Sequence, residues 1–366
     1  MTTLRVIIDD IVAGGTGRLA RYSEDLTRAL IRTAPRGADV AGFVSASPES
    51  DYALLRERLP GLRDLFKSAL ARRELAAAWQ HGFTLLPGTG MVHSTSLLAP
   101  LRKHDRSSGG NDQSVVTIHD AIAWTHPELL PSRQVSWTKA MAKRAERYAD
   151  AVVVPTHAVA DELAGILDFG DRIRVIGGAP SSSLEVPSDA AIRRTRLGLP
   201  SRYVVAVVEG DPRNGFADLA TAAGSSALAG TPVVLIAAAG EAALVDGADR
   251  LTVLDDLGAD DWAAVLAGAA VYAQPSVAAG FGAGMLDAMS LGLPVVATDV
   301  PALAETASDS AELVPSGDAT ALAEAIAGLL GDERAADRLG VAAGDRAKAF
   351  TWRDAAEKVW QLHADL

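Results

Sequence analysis

Residues 271–298 read Val271-Tyr-Ala-Gln-Pro-Ser-Val-Ala-Ala-Gly280-Phe-Gly-Ala-Gly-Met-Leu-Asp287-Ala-Met-Ser-Leu-Gly-Leu-Pro294-Val-Val-Ala-Thr298. A short apolar strand at 270–273 runs into a turn carrying Gly280, Gly282 and Gly284. A helix follows with Met285, Leu286 and Met289 on one face, and a second apolar strand comes after Pro294. Glycines in such a turn let backbone N–H groups come close to a ligand, and the helix start behind them presents unpaired donors and a partial positive charge. The arrangement is suited to holding an anion. Asp287 lies early in the helix, where a carboxylate can accept hydrogen bonds from vicinal sugar hydroxyls, as acidic residues do for ribose in dinucleotide sites.

Outward from this unit, apolar runs recur at 4–8, 40–44, 115–119, 151–155, 203–208, 233–238, 251–254 and 295–297, with helical patterns between most of them. Runs apolar on both faces are what buried parallel strands look like, so the fold class is α/β with two doubly wound, Rossmann-like parallel-sheet domains. At 366 residues and 49% hydrophobic content the chain is long enough for both cores. A Gly/Pro/Ser-rich stretch at 177–187 marks the join, with 1–180 forming one domain and the second beginning at 181. No apolar run is long enough to span a bilayer, and the N-terminus enters a strand without a signal-peptide layout, which gives a cytoplasmic expectation. The absence of cysteine excludes disulfides and thiolate metal sites.

Net charge is −12, which argues against a nucleic-acid partner. Residues 1–180 carry 22 basic and 20 acidic side chains, whereas 181–366 carry 12 and 26. Residues 54–75 read as an Arg-rich helix, and 133–147 carries Arg133, Lys139, Lys143, Arg144 and Arg147 against Glu146. Such faces either rest on an anionic membrane or are ordinary solvated helix surfaces. Residues 102–114 lack periodicity and are expected to form a mobile surface loop beside the ligand-binding edge.

The first strand leads into Ala13-Gly-Gly15-Thr16-Gly17-Arg18-Leu-Ala20, in which Gly15, Gly17 and Ala20 fit a dinucleotide fingerprint. Against a dehydrogenase, the next strand ends without an acidic residue, and four residues separate Asp10 from Gly15, a looser turn than the fingerprint uses. These glycines can also serve turn geometry alone. The stretch Val115-Val-Thr-Ile-His119-Asp120-Ala-Ile-Ala-Trp-Thr-His-Pro127 delivers His119 and Asp120 to the ligand-facing end of a strand. His119 is either a substrate contact or a hydrogen-bonded structural histidine, and Asp120 is an orienting or helix-capping group rather than a nucleophile. Thr156 is placed to cap the helix after the 151–155 strand.

These motifs together resemble the family 4 retaining glycosyltransferases, and the resemblance covers nearly the whole chain. The family carries a Glu before Gly-Phe-Gly and a second Glu seven intervening residues later; Ala279 and Asp287 stand at those positions here. The loop at 14–18 resembles the family's Gly-Gly-x-Gly-Arg loop, and His119-Asp120 its His-Asp pair. After Tyr203-Val-Val-Ala-Val-Val208 the family places an Arg and a Lys that clamp the donor diphosphate. In this chain Val208 and Asn214 occupy those positions, and Arg213 remains beside them.

The resemblance implies a GT-B arrangement with two domains facing a central cleft, 1–180 on the acceptor side and 181–345 on the donor side, and a helix at 346–366 that crosses back to the first domain. It also implies transfer of a hexose, with retention, from a nucleotide-diphosphate sugar to a glycan, lipid-linked or small-molecule hydroxyl, as in polysaccharide biosynthesis. No cofactor or metal is required, because the leaving phosphate helps to deprotonate the acceptor and the protein positions groups and stabilises charge. On this basis His119 and Asp120 belong to the catalytic centre. Gly15, Gly17, Arg213, Gly280, Phe281, Gly282, Ala283, Gly284 and Asp287 bind the donor, with Thr16 and Arg18 on the acceptor side. Implied partners are the nucleotide sugar, the acceptor, the inner membrane surface touched peripherally through the first domain, and either a second copy of the chain or an active glycosyltransferase. The alternative is a catalytically degenerate member serving as a binding or scaffolding subunit; a nucleotide-sugar epimerase shares the fold.

Overall fold

The computed structural model describes residues 2–13, 17–84, 90–104, 112–208, 212–237, 251–255 and 257–366. The chain divides into two compact units, Met1–Gly178 with Thr351–Leu366, and Ala179–Phe350.

In the first unit the elements are β1 (Thr2–Ile7), α1 (Asp10–Ala13), α2 (Arg18–Arg32), β2 (Ala38–Ala46), α3 (Glu49–Arg58), β3 (Leu65–Ala71), α4 (Arg72–Gln80), β4 (Met91–Ser94), β5 (Gln113–Thr117), α5 (Ile122–Thr125), α6 (Ser132–Tyr148), β6 (Ala151–Val154), α7 (His157–Ala164) and β7 (Ile173–Val175). Seven strands lie in the order β3-β2-β1-β4-β5-β6-β7, every pairing parallel. The central strands are buried on both faces, as an all-parallel sheet under helices requires. Thr156 caps α7 by accepting from the Val159 N–H at 3.2 Å.

The second unit contains α8 (Ala190–Arg196), β8 (Val204–Val208), α9 (Phe216–Gly224), β9 (Val233–Ala237), β10 (Leu251–Asp255), α10 (Ala259–Ala267), β11 (Val271–Gln274), α11 (Ala283–Ser290), β12 (Val295–Thr298), α12 (Pro301–Ala307), β13 (Glu312–Val314), α13 (Ala319–Gly331) and α14 (Glu333–Ala347). Its six strands run β10-β9-β8-β11-β12-β13, again all parallel. Two apolar clusters cover the sheet, one built around Tyr272, Met285 and Met289 and the other around Leu219, Leu235 and Ile326.

The last helix, α15 (Trp352–Asp365), belongs to the first unit. Trp360 Nε1 donates to the Leu30 carbonyl at 3.2 Å, Trp352 meets Tyr22 edge-on at 5.6 Å, and His363 reaches Gln113 at 3.0 Å.

Two local expectations are corrected. Residues 65–71 form the edge strand β3 rather than part of a helix; its side chains alternate between half-buried and exposed, so no continuous apolar run announces it. The 102–114 segment precedes β5, which puts its described residues at the N-terminal edge of a parallel sheet, away from His119 at the C-terminal end. Those residues are anchored: Arg102 pairs with Asp112 at 2.7 Å, and buried His104 meets Asp150 at 2.8 Å. Residues 105–111 lie outside the described chain.

Candidate active site

In both sheets the strand order reverses direction between two neighbours, β1 and β4 in the first and β8 and β11 in the second. The crevice beyond the C-terminal ends of such strands is where open α/β sheets bind ligands. In the first unit, β1 delivers Asp9 and Asp10 to this edge, β4 delivers Thr95 and Ser96, and β5 delivers His119 and Asp120.

Asp9 and Asp10 are almost fully buried, at 0% and 3% exposure. Buried carboxylates persist as charges only with partners, and both are supplied. Arg72, at the start of α4, bridges them: its Nη1 donates to Asp9 and its Nη2 to Asp10 Oδ1 at 2.6 Å. Asp9 also accepts from the Ser45 N–H at 2.7 Å, and Asp10 from the Ser96 hydroxyl at 2.7 Å. Sequence reasoning did not single out Asp9, Asp10, Arg72 or Ser96. Two adjacent acids at a strand end are a visible signal, but their partner lies 62 residues from Asp10.

His119 Nε2 lies 2.8 Å from the Thr95 carbonyl, which requires the Nε2–H tautomer and leaves Nδ1 as an acceptor. The Tyr22 ring meets the imidazole edge-on at 4.7 Å. Burial lowers the His119 pKa; the Thr95 carbonyl and the charges of Asp120 and Asp10 act in the opposite direction, and Arg18 adds to the lowering. A neutral imidazole here accepts a hydrogen bond and does not act as a proton donor at neutral pH. Asp120 Oδ1 accepts from the Ile122 N–H at 3.1 Å, holding the start of α5. Gly17 stands at the N-cap of α2 and Arg18 is its first residue. Gly15 and Thr16 lie outside the described residues.

In the second unit the residues after β8 and β11 are tied together, the Arg213 carbonyl accepting from the Val277 N–H at 2.7 Å. Gly215 has φ 67°, and a Cβ there would overlap the Pro275 carbonyl, so this crossing of two loops demands glycine. Gly282 (φ 85°) caps α11, whose first turn comprises Ala283, Gly284 and Met285. A Cβ on Gly282 would fall 2.6 Å from Leu303 Cδ2, and one on Gly284 2.8 Å from the Tyr272 hydroxyl. The turn is thus fixed from behind: Thr306 donates to the Phe281 carbonyl at 2.8 Å, and Phe281 meets Phe350 edge-on at 5.8 Å. Helix-start N–H groups on a rigid turn make a pre-organised anion site.

Asp287, 2% exposed, accepts from the Ser181 N–H at 2.7 Å. Ala279 packs against the apolar core of this unit, and Asn214 is 5% exposed. Among the described residues no cluster of His, Asp or Glu has metal-ligand geometry.

A family model described as Glycosyltransferase Family 4 matches residues 19–179, and one described as Glycosyl transferases group 1 matches 203–332. The two matches together mark the chain as a glycosyltransferase of the family 4 type. His119 follows β5 and the Gly280–Gly284 turn follows β11, each at the C-terminal edge of its sheet. Among curated relatives, the phosphatidyl-myo-inositol mannosyltransferase of Mycobacterium leprae is 32% identical over 33% of this chain and 32% of its own length. The matched curated relatives are covered over 28–54% of their lengths. Among solved structures, sucrose-phosphate synthase from Thermosynechococcus elongatus superimposes with a TM-score of 0.74 at 21% identity, covering 100% of this chain and 99% of that one. Anabaena HepE in complex with UDP and glucose gives 0.74 at 16% identity, with 100% of both chains covered. These likenesses establish the GT-B, Rossmann-like fold. Among the described residues no helix is long and apolar enough to cross a membrane.

Proposed function

We propose that this protein transfers a hexosyl group from a nucleoside-diphosphate sugar to an acceptor hydroxyl with retention of anomeric configuration. The observation that carries the proposal is the β11–α11 turn, where Gly282 takes a left-handed conformation, Gly284 packs against the Tyr272 hydroxyl, and helix-start N–H groups stand ready for a diphosphate. In this proposal Gly280, Phe281, Gly282, Ala283 and Gly284 form the phosphate seat, Arg213 contributes positive charge beside it, and Asp287 takes the ribose hydroxyls. His119 accepts a hydrogen bond from a hydroxyl of the donor sugar at Nδ1 and Asp120 holds the loop, while Gly15 and Gly17 serve the donor and Thr16 and Arg18 the acceptor side. No residue is asked to form a covalent intermediate; catalysis is by positioning and by stabilising the leaving phosphate. UDP-sugars are the first donors to test, given the UDP complex of a fold neighbour.

The test is calorimetric titration with UDP-, GDP- and ADP-hexoses, with and without Mg2+, followed by NMR of the transfer product to read the anomeric centre. Micromolar binding of one nucleotide sugar and a retained anomer support the proposal; an inverted product or absence of binding at millimolar concentration overturns it.

A second reading, a binding or scaffolding subunit without catalysis, is favoured by Asn214, buried where the family clamps phosphate with Lys, and by Ala279 in apolar packing. Loss of a charged hydrogen-bonded contact costs about 1.5–3 kcal/mol. Absence of nucleotide binding would select this reading.

A further inference from the structure

A cavity of about 720 Å³ opens in the first unit beside α4 and the start of α6. Arg72, Arg73, Gln80, Arg133, Gln134 and Trp137 line it, with mostly apolar residues between them and no carboxylate among the lining side chains. Arg72 is answered by Asp9 and Asp10. Arg73 and Arg133 are exposed and their side chains make no ion pair or hydrogen bond among the described residues, although basic groups elsewhere on this unit do, as in Arg58 with Glu24, Arg63 with Asp39 and Lys143 with Glu146. Guanidinium groups gathered on one concave wall repel each other until an anion joins them.

We propose that this cavity binds the acceptor through a phosphate or carboxylate, so that the substrate receiving the sugar is anionic. Arg73 and Arg133 each offer a planar fork that matches two oxygens of such a group. Gln80 and Gln134 can donate to and accept from hydroxyls, and the Trp137 indole adds the ring surface on which a sugar or cyclic polyol packs. Arg72 links the cavity to the site: it lines the wall and bonds Asp10, whose charge acts on His119. An acceptor anchored there is held next to the strand ends of the candidate active site. The inference rests on the transferase proposal and names its acceptor class.

The experiment compares binding of glucose and glucose 6-phosphate, myo-inositol and its monophosphate, and inorganic phosphate to the full chain and to Arg73→Gln/Arg133→Gln. Sedimentation with phosphatidylcholine vesicles, with and without phosphatidylinositol, forms a second arm. Both arginines are exposed, and an unchanged circular dichroism spectrum and Tm verify that the variant folds. The expected result is that phosphorylated compounds bind at least about tenfold more tightly than their neutral parents, and that the double variant loses about ten- to a hundredfold of that affinity. Sedimentation only with the anionic vesicles, abolished in the variant, assigns the anion to a lipid headgroup; binding only of the free phosphates assigns it to a soluble acceptor. Equal affinity for neutral and phosphorylated compounds, or anion binding unaltered in the variant, overturns the inference. UDP-glucose titration separates the two proposals: donor binding with a charge-blind cavity removes this inference alone, whereas anion binding without any nucleotide removes the transferase proposal and leaves the cavity.

Discussion

The Asp287 carboxylate, in the second turn of α11, accepts a 2.7 Å hydrogen bond from the backbone N–H of Ser181, 106 residues earlier in the chain. One side chain thus fixes the entry of the second unit against the helix that carries the proposed phosphate seat. Asp287→Ala leaves the Ser181 N–H without its partner and is expected to cost about 1–3 kcal/mol. Asp287→Asn keeps an acceptor oxygen and restores most of that stability, measured by urea unfolding. If Asp287→Asn also binds nucleotide sugar as well as the parent does, the ribose role of the carboxylate fails while its structural role stands.

Gly284 sits against the Tyr272 hydroxyl, which itself donates to Gln274 at 2.8 Å. Gly284→Ala pushes that hydroxyl away and is expected to destabilise by about 1–3 kcal/mol, the range for overpacking. Adding Tyr272→Phe removes the clashing oxygen and recovers part of the loss. A double-mutant cycle in thermal unfolding that shows no coupling between the two positions contradicts the contact.

Arg72 faces two carboxylates that water barely reaches, while 38% of its own side chain is exposed. Removing it strands buried charge, and Arg72→Ala is expected to cost on the order of 2 kcal/mol, a value discounted for that exposure. Arg72→Lys restores charge without the two-pronged geometry and is expected to fall between parent and Ala. An Ala variant as stable as the parent would show that the two acids do not depend on Arg72.

His93 is buried against His363, with 3.4 Å between ring nitrogens, and burial pushes its pKa down to about 4 from 6.5. His363 is lowered well below its usual value by burial and then by His93. Between pH 6.5 and 4 the unfolded chain binds more protons than the folded one, so stability is complete above about 6.5 and drains away as pH falls towards 4. The loss from His93 alone approaches about 3 kcal/mol. Tm should therefore drop on acidification, and less steeply in His93→Gln/His363→Gln; an unchanged slope in that variant places the acid sensitivity elsewhere.

The strands legible in the sequence are those buried on both faces, such as 151–154, 233–237 and 295–298. The missed ones have identifiable reasons. β3 is an edge strand with exposed positions, β4 carries His93 and Ser94 that are polar yet buried, and β7 and β13 are three residues long. The glycine turn and the His119–Asp120 pair could be read because each is contained in one short segment. The Asp9–Asp10–Arg72–Ser96 cluster could not, because the sheet brings together residues from three separate stretches. The same holds for Ser181 and Asp287.

Because α15 belongs to the first unit, that unit is built from two separated stretches, Met1–Gly178 and Thr351–Leu366, with Ala179–Phe350 inserted between them. Trp360 meets Leu30 and His363 meets His93 across 330 and 270 residues of sequence, so the buried histidine pair forms only when both stretches are in place, and a break between Phe350 and Thr351 is expected to weaken the first unit while leaving the second intact.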